Sequence, residues 1–443
     1  MVYTVDGLGG SQVRSRLAAA VLALALAGCW PVPGQGPDRN ADNPFEQTIT
    51  AANVSALKVV WNANTGGQFV SSPVVSDAGV HVTAVITSSG GYVVGMFTYH
   101  TNTGGPMWTT AVSQCCAPGI PAFSPPFVLS DRVAAGWEFV KLGPGYIDVR
   151  GAPAFDISTG ASRGTVGPGP IDSVRDSTVV SSWNPVVGPF QQSHNFSVTN
   201  LTDPTKTWGG NGPGTFTLGS KHVFEAGSGS SSTVAGQGSD VIGVRAYPIT
   251  APPINCGSMS NLACPQWVKP FDRVSTPVLS PDNSTVYVVG TTGSLSSVYA
   301  LDAAAGTVLW RGSLGTTSGA SPALANGKLF VPTDQGNVLV FDANGCASGT
   351  CTPLWSDATG VTGPLYQPVV GGDVLYTAAQ ESGSLPLPPA ALRAFPLAGC
   401  GQPTCTPIFS ASITSGISDQ PAVSNGRLFV PTEDGHLVAY GVN

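Results

Sequence analysis

Cysteine is the residue type whose spacing could do chemistry in this chain. Nine cysteines occur, and apart from Cys29 they fall into four close pairs. The pairs are Cys115–Cys116, Cys256–Cys264, Cys346–Cys351 and Cys400–Cys405. In an exported chain such pairs predict disulfides, whereas in the cytosol they could hold a metal. The five histidines are scattered and give no pair a zinc-ligand spacing, so we predict disulfides and no metal site.

The N-terminus predicts export and lipid attachment. Arg14 and Arg16 precede an apolar run, Leu17 to Gly28, that is too short to span a bilayer and suits a signal peptide. The run ends in LAGC at 26–29, which resembles the lipobox of bacterial lipoproteins. This resemblance implies that residues 1–28 are removed and that Cys29 carries the lipid. An ordinary cleaved signal followed by a chance cysteine is the alternative.

The next stretch predicts a tether. Residues 29–48 are rich in Pro, Gly, Asn and Asp and show no hydrophobic periodicity. Such a composition is typical of a flexible linker between an anchor and a folded body. We therefore predict a lipidated Cys29 with a flexible tether over 29–48, and a folded domain over 49–443.

The amino-acid composition restricts the possible fold classes and the possible kinds of partner. Charged residues are 10% of the chain, against roughly 25% in ordinary soluble domains. Glycine (56) and proline (38) are abundant, and the 42% hydrophobic residues come in short runs between turns, which favours an all-β fold. The net charge of −7 argues against a broad basic face, so nucleic acid is not an expected partner.

A repeat organises the folded domain. The segment NGKLFVPTDQGNVLVFD at 326–342 returns as NGRLFVPTEDGHLVAYG at 425–441, two units of about 50 residues later. Such a period without a helical pattern is typical of β-propeller blades. Seven repeats can be traced between the ends, and Leu57–Trp61 lacks a hairpin while the last hairpin lacks a closing strand. We predict a β-propeller of four-stranded blades, eight in number, closed by pairing the N-terminal strand with the C-terminal blade.

The repeat also indicates what most of its special residues do. A tryptophan closes most repeats, and a large ring at that place can wedge between neighbouring blades. The three spaced cysteine pairs fall just before the closing Trp or Phe, in phase with the repeat. We therefore interpret these pairs as structural staples.

Two segments resemble quinoprotein (PQQ-repeat) alcohol dehydrogenases, which are eight-bladed propellers. They are ITAANVSALKVVWNANTGG at 49–67 and VYALDAAAGTVLW at 298–310. In that family a vicinal disulfide lies over pyrroloquinoline quinone (PQQ), so the resemblance implies a cofactor role for Cys115 and Cys116. The family's calcium ligands and catalytic aspartate find no match, because Asp302 and Asp342 sit at structural turn positions.

These observations lead to one hypothesis and two alternatives. The hypothesis is a non-catalytic, extracytoplasmic lipoprotein, anchored through Cys29 to the lipid of the cell or outer membrane. It would act as an interaction scaffold or ligand-binding module for an unidentified protein or small ligand, without catalytic residues or a cofactor, similar in layout to the propeller lipoprotein of the outer-membrane assembly machinery. The first alternative is a membrane-tethered PQQ-dependent dehydrogenase using PQQ and calcium. The second is a sugar- or peptide-binding propeller using Trp137 and Trp183.

Overall fold

The fold is all-β, as predicted. The computed structural model describes residues 29–113, 121–141, 147–183, 186–187, 191–192, 195–211, 214–229, 241–250, 263–357, 363, 365–380 and 389–443. The predicted signal peptide at 1–28 lies outside these ranges. Across the ranges just given, no helix is both long and apolar enough to cross a membrane.

The first half of the chain builds blades 1 to 4. Three elements precede blade 1: β1 (Asp42–Asn43), a 3₁₀ helix (Val54–Ala56) and β2 (Lys58–Asn64). Blade 1 contains β3 (Val74–Ser76), β4 (Gly79–Ser88), β5 (Gly91–Tyr99) and β6 (Pro106–Ala111). Blade 2 contains β7 (Ala122–Phe123), β8 (Phe127–Leu129), β9 (Arg132–Ala134), β10 (Trp137–Lys141), β11 (Ile147–Asp156) and β12 (Ser162–Gly167). Blade 3 contains β13 (Ile171–Arg175), β14 (Thr178–Trp183), a small hairpin of β15 (Val186–Val187) and β16 (Gln191–Gln192), β17 (Asn195–Asn200), a 3₁₀ turn (Pro204–Lys206) and β18 (Trp208–Asn211). Blade 4 contains β19 (Gly214–Leu218), β20 (His222–Gly229), β21 (Val241–Pro248) and β22 (Trp267–Pro270).

The second half builds blades 5 to 8. Blade 5 contains β23 (Arg273–Val274), β24 (Val278–Leu279), β25 (Thr285–Thr292), β26 (Leu295–Asp302) and β27 (Val308–Ser313). Blade 6 contains β28 (Ala323–Ala325), β29 (Lys328–Pro332), β30 (Val338–Asp342), β31 (Thr350–Cys351) and β32 (Trp355–Asp357). Blade 7 contains β33 (Val369–Gly371), β34 (Val374–Gln380), β35 (Ala390–Pro396), β36 (Thr404–Cys405) and β37 (Phe409–Ile413). Blade 8 contains β38 (Ala422–Ser424), β39 (Arg427–Pro431) and β40 (His436–Gly441), with β2 as its outer strand.

The ring closes where the sequence predicts. Strand β2 pairs antiparallel with β40, from Lys58 opposite Gly441 to Asn64 opposite His436. The first blade-forming strand, β2, therefore completes the last blade. The prediction of an eight-bladed propeller is confirmed. Closure removes the free sheet edges that a partly built ring would expose.

The closing tryptophans join neighbouring blades. Trp61 on the outer strand of blade 8 donates its indole N–H to the carbonyl of Thr101 in blade 1, at 2.9 Å. Equivalent bonds of 3.1–3.2 Å run from Trp108 to Ile157, Trp208 to Ile249, Trp267 to Ala303 and Trp310 to Ala343. The turn that accepts this hydrogen bond contains a glycine that packs directly against the indole ring. At Gly104, where φ is +66°, an added Cβ would come within 2.6 Å of the Trp61 indole. The Trp and the Gly of the repeat thus form one inter-blade contact.

Residues 29–48 correct the predicted tether. This segment, named the strap below, lies across one end of the propeller. Trp30 is 1% exposed, and it exchanges two backbone hydrogen bonds with Val75 of blade 1. Strand β1 pairs in parallel with β33, the innermost strand of blade 7. The strap shows no hydrophobic periodicity because its backbone bonds to one blade after another and forms no regular sheet or helix. Its composition therefore resembles that of a flexible linker, although hydrogen bonds fix its path.

Candidate functional site

Two of the predicted cysteine pairs are disulfides that cap sheet edges. The Cys346–Cys351 and Cys400–Cys405 disulfides have Cα–Cα separations of 5.6 Å and close the loops before β32 and β37. Strand β31 in the first loop pairs in parallel with β27, the outer strand of blade 5. Strand β36 in the second does the same to β32, the outer strand of blade 6. Each stapled loop therefore covers the outer edge of the preceding blade.

The other cysteines are only partly placed. Cys264 is disulfide-bonded, and its predicted partner Cys256 lies outside the described residues. The vicinal pair Cys115–Cys116 also lies outside them. Cys29 is in the thiol form and is 4% exposed, with its Sγ 3.5 Å from the carboxylate of Asp77.

The candidate site is the central channel. The innermost strands surround a cavity of about 470 Å³. Because these strands all run in one direction, residues just before them line one end of the channel, called the open end. The turns that follow them form the other end, called the strap end. A volume of this size is within the range of roughly 300–1,000 Å³ typical of small-molecule sites.

The strap closes its end of the channel through hydrogen bonds to most of the ring. Backbone carbonyls of the strap accept from innermost-strand amides in blades 2, 5, 6 and 7, at 2.8–2.9 Å; the pairs are Pro31–Val128, Asp38–Leu279, Asn40–Leu324 and Ala41–Val370. The Glu46 carboxylate accepts from the Gly426 amide of blade 8 at 2.8 Å. Asp38 forms an ion pair with Arg175 of blade 3. Pro33 and Arg39 form the floor of the cavity.

Polar residues at a repeated position line the open end. Five innermost strands are preceded by a polar residue and a proline, and the polar members all line the cavity: Ser72, Thr276, Ser321, Gln367 and Gln420. Gln367 donates its side-chain amide to the carbonyls of Arg39 and Pro322, at 2.8 and 2.9 Å. The residue two positions before the innermost strand therefore lines the channel in each of these five blades.

Three charged side chains line the cavity: Arg39, Asp172 and Asp419. Arg39 donates a hydrogen bond from Nη2 to the main-chain carbonyl of Asp172. The Asp419 carboxylate accepts the backbone amides of Ser72 and Gln420, at 2.8 and 2.7 Å. Burial raises the pKa of Asp419, and burial lowers the pKa of Arg39 even though both aspartates oppose that change.

Two buried polar atoms in this cavity have no hydrogen-bond partner. They are Oδ2 of Asp172 and Nε2 of Gln420, whose side chain belongs to a residue only 7% exposed. Burial raises the pKa of Asp172 to about 7, although a hydrogen bond from Ser182 and the charge of Arg39 lower it. A buried polar atom left alone costs free energy, so such atoms indicate where an additional molecule would bind.

The described channel residues do not form a calcium site, and Cys115 and Cys116, for which the resemblance implies a role over the quinone, lie outside the described residues. Calcium prefers several oxygen ligands, yet both oxygens of Asp419 accept backbone amides and the cation Arg39 faces the same space. Within the described ranges, no group of three or more His, Cys, Asp or Glu side chains could hold a metal ion. We therefore derive no chemical step through that cofactor.

The two tryptophans of the sugar-binding alternative differ in their surroundings. Trp137 is 4% exposed and belongs to an apolar cluster of blades 1 and 2, as expected of a core residue. Trp183 ends β14 in blade 3, with the guanidinium of Arg150 5.0 Å from the centre of its ring. Its indole nitrogen is buried without a hydrogen-bond partner.

Comparison with known proteins supports the repeat and the fold. Residues 265–394 match the PQQ_2 family model, which is described as outer membrane protein assembly factor BamB. The computationally designed Ika8 protein is 11% identical, with a TM-score of 0.53 over 86% of this chain and 98% of that chain. BamB from Moraxella catarrhalis is 13% identical, with a TM-score of 0.38 over 87% of this chain and 97% of that chain. No curated protein sequence matches the chain.

At these sequence identities the solved structures are evidence for the fold alone. The TM-score of the designed Ika8 protein supports the propeller fold. The family match covers the chain from just before β22 into β35, which includes blades 5 and 6 and the first part of blade 7. The predicted resemblance to PQQ-repeat propellers is confirmed over residues 265–394, and the fold of the chain is an eight-bladed β-propeller.

Proposed function

We propose that this protein is a non-catalytic scaffold of the cell envelope, held on a membrane by lipid at Cys29 and open to partners or ligands at the other side. The matched family is described as an assembly factor. The disulfides support an oxidising, extracytoplasmic compartment, because such bonds are rare in the cytosol.

The observation that carries this proposal is the position of the strap. It begins at Cys29 and is bonded to blade 1 at the next residue, Trp30. A lipid on residue 29 would therefore hold the strap end directly against the bilayer, and the open end would face away from it. Acylation requires the Cys29 thiol to leave its place beside Asp77, which a terminal residue can do while Trp30 stays fixed.

The anchor is tested by fractionating cells that export the full-length chain. We expect the wild-type chain in the membrane fraction, with a diacylglycerol thioether on Cys29 by mass spectrometry, because two or more acyl chains anchor stably. Cys29→Ser should appear in the soluble envelope fraction with an unchanged melting temperature. A wild-type chain without lipid at Cys29 would remove the anchor from the proposal.

The orientation is tested in the same cells with a photo-crosslinking amino acid at one of two exposed positions. Phe45 is 55% exposed on the strap, and Leu295 is 51% exposed at the start of β26 on the open-end side. We expect lipid adducts from position 45 and protein adducts from position 295. The reverse pattern, or no protein adduct at 295, would contradict a scaffold that works through its open end.

The dehydrogenase alternative is tested with the purified chain by melting it with PQQ and Ca²⁺. Because no cofactor is part of the proposal, we expect no shift. A ligand at a hundred times its dissociation constant would add about 2.7 kcal/mol to the free energy of unfolding. A shift that disappears in the Cys115→Ser, Cys116→Ser double variant would favour the dehydrogenase.

A further inference from the structure

We propose that the open end of the channel binds a small molecule that carries a guanidinium or ammonium cation together with a hydrogen-bond acceptor. Asp172 would accept hydrogen bonds from the cation, and Gln420 would donate its amide N–H to the acceptor. This inference deepens the ligand-binding part of the proposed function and does not depend on the lipid anchor.

The first argument is the charge of the cavity. Its charged lining residues are two carboxylates and one guanidinium. Arg39 uses Nη2 for the main-chain carbonyl of Asp172 and leaves Oδ2 of that residue without a partner. A second cation would balance the remaining carboxylate, and the net charge of −7 on the whole chain favours its approach.

The second argument is an unused donor that lines the same cavity, on blade 8. Gln420 directly follows Asp419, and its backbone amide already bonds to the Asp419 carboxylate. Its side chain is buried, and Nε2 has no acceptor. A simple metal cation could satisfy Asp172 but not this N–H, whereas an organic cation with a carbonyl or hydroxyl group could satisfy both.

The third argument is that the protein itself places a guanidinium in this channel. Arg39 enters from the strap end, and Gln367 holds its backbone by a 2.8 Å hydrogen bond to the carbonyl. The strap closes that side, so a ligand enters from the open end and meets Asp172 and Gln420 there. The cavity of about 470 Å³ has room for a molecule of this class beside Arg39.

The test is calorimetric titration of the purified full-length chain with a matched pair of probes. The first, 4-guanidinobutanamide, carries the cation and an amide acceptor; the second, 4-ureidobutanamide, has nearly the same shape without the charge. We expect the guanidine to bind at least about tenfold more tightly, since hydrogen bonds to an ionised partner are the stronger ones. Equal binding of the two, or no binding of either at millimolar concentration, would overturn the inference.

Variants assign the binding to this cavity. Asp172→Asn should weaken the guanidine probe about tenfold or more, and Gln420→Leu about threefold to tenfold. Asp131→Asn, at an exposed turn of blade 2, should leave binding unchanged. Unchanged binding by Asp172→Asn would overturn the proposal, and the probe pair on the wild-type chain decides the question if that variant fails to fold.

A pH series and a peptide complete the experiment. Arg39 and Asp419 are the other charged groups that face the cavity, and only the ionised Asp172 pairs with a cation. With its pKa at about 7, the affinity should rise roughly tenfold between pH 6 and pH 8. A blocked Gly-Arg-Gly peptide distinguishes the sources: binding of the free probe without the peptide assigns the cation to a small molecule, whereas binding of the peptide without the probe would overturn the small-molecule proposal in favour of a partner's side chain.

Discussion

The two ends of the central channel are built from the same innermost strands and finished in different ways. At the strap end, hydrogen bonds from one segment satisfy backbone groups in blades 1, 2, 5, 6, 7 and 8 and the side chain of Arg175 in blade 3. At the open end, Asp172 and Gln420 keep buried polar atoms without a partner. The strap end therefore contributes to the stability of the fold, whereas the open end keeps polar atoms that could bind a ligand. A polar group is available to a ligand only if no hydrogen bond within the protein already occupies it.

The largest expected effect tests the strap end. Trp30 is 1% exposed, so Trp30→Ala should lower the free energy of unfolding by about 3–5 kcal/mol in urea denaturation. Phe45→Ala, at a position 55% exposed on the same strap, should change it by less than about 0.5 kcal/mol. If both variants unfold like the wild type, the strap is a loose tether and the contrast between the two ends disappears.

A smaller effect tests the residue that links the two ends. Arg39→Met keeps much of the side-chain stem and removes the guanidinium that faces Asp172 and Asp419. We expect a loss of about 2 kcal/mol in the free energy of unfolding. The loss should be greater at pH 8 than at pH 5, because Asp172, whose pKa is raised to about 7, is ionised at the higher pH. The 4-guanidinobutanamide probe should bind several-fold more tightly, since a competing cation is gone.

The control for Arg39→Met is Arg132→Met, which breaks an exposed ion pair of 3.2 Å with Asp131. It should change neither the free energy of unfolding nor the affinity for the probe measurably. Weaker probe binding by Arg39→Met would show that Arg39 holds the ligand instead of competing with it.

The smallest effect separates the ends by pH. Burial raises the pKa of Asp42 on the strap and of Asp172 at the open end to about 7, from the ordinary value of 3.8. The folded chain therefore binds more protons than the unfolded chain between these values, so the contribution of each group to stability is present below pH 3.8 and is lost as the pH rises through 7.

Urea denaturation at pH 5 and pH 8 measures this loss. Asp42→Asn and Asp172→Asn should each reduce the difference between the two pH values, while Asp131→Asn should leave it unchanged. Saturating 4-guanidinobutanamide should reduce the difference in the wild-type chain and have no such effect in Asp172→Asn. A probe effect that persists in Asp172→Asn would place the ligand elsewhere.

The blades were predictable because their pattern is local and repeated. The apolar run LFVP in β29 and β39 is buried throughout, since both faces of these strands are covered by neighbouring blades. The pairing of β2 with β40 followed from a missing strand at one end and a missing partner at the other. Five of the six closing tryptophans donate a hydrogen bond to the next blade, and the sixth, Trp355, packs against Gly399 of the next blade without such a bond.

The candidate site was only partly predictable. A signal for it exists in the repeat, because Gln367 and Gln420 each stand before a proline at the start of an innermost strand. Asp172 breaks that pattern in blade 3, and Arg39 lies in a segment without any repeat. No local rule brings these residues together, since their approach depends on the path of the strap across the ring.

By itself, the sequence determined a closed ring of eight blades, the position of the tryptophans and the phase of the spaced cysteine pairs, because each depends on contacts that recur at a constant spacing. Only the tertiary structure decided that residues 29–48 seal one end of the channel and that Arg39, Asp172 and Gln420 meet within it. The physical reason is that the strap bonds to backbone groups, which every sequence offers alike, so its partners follow from the shape of the ring and not from its own residue pattern.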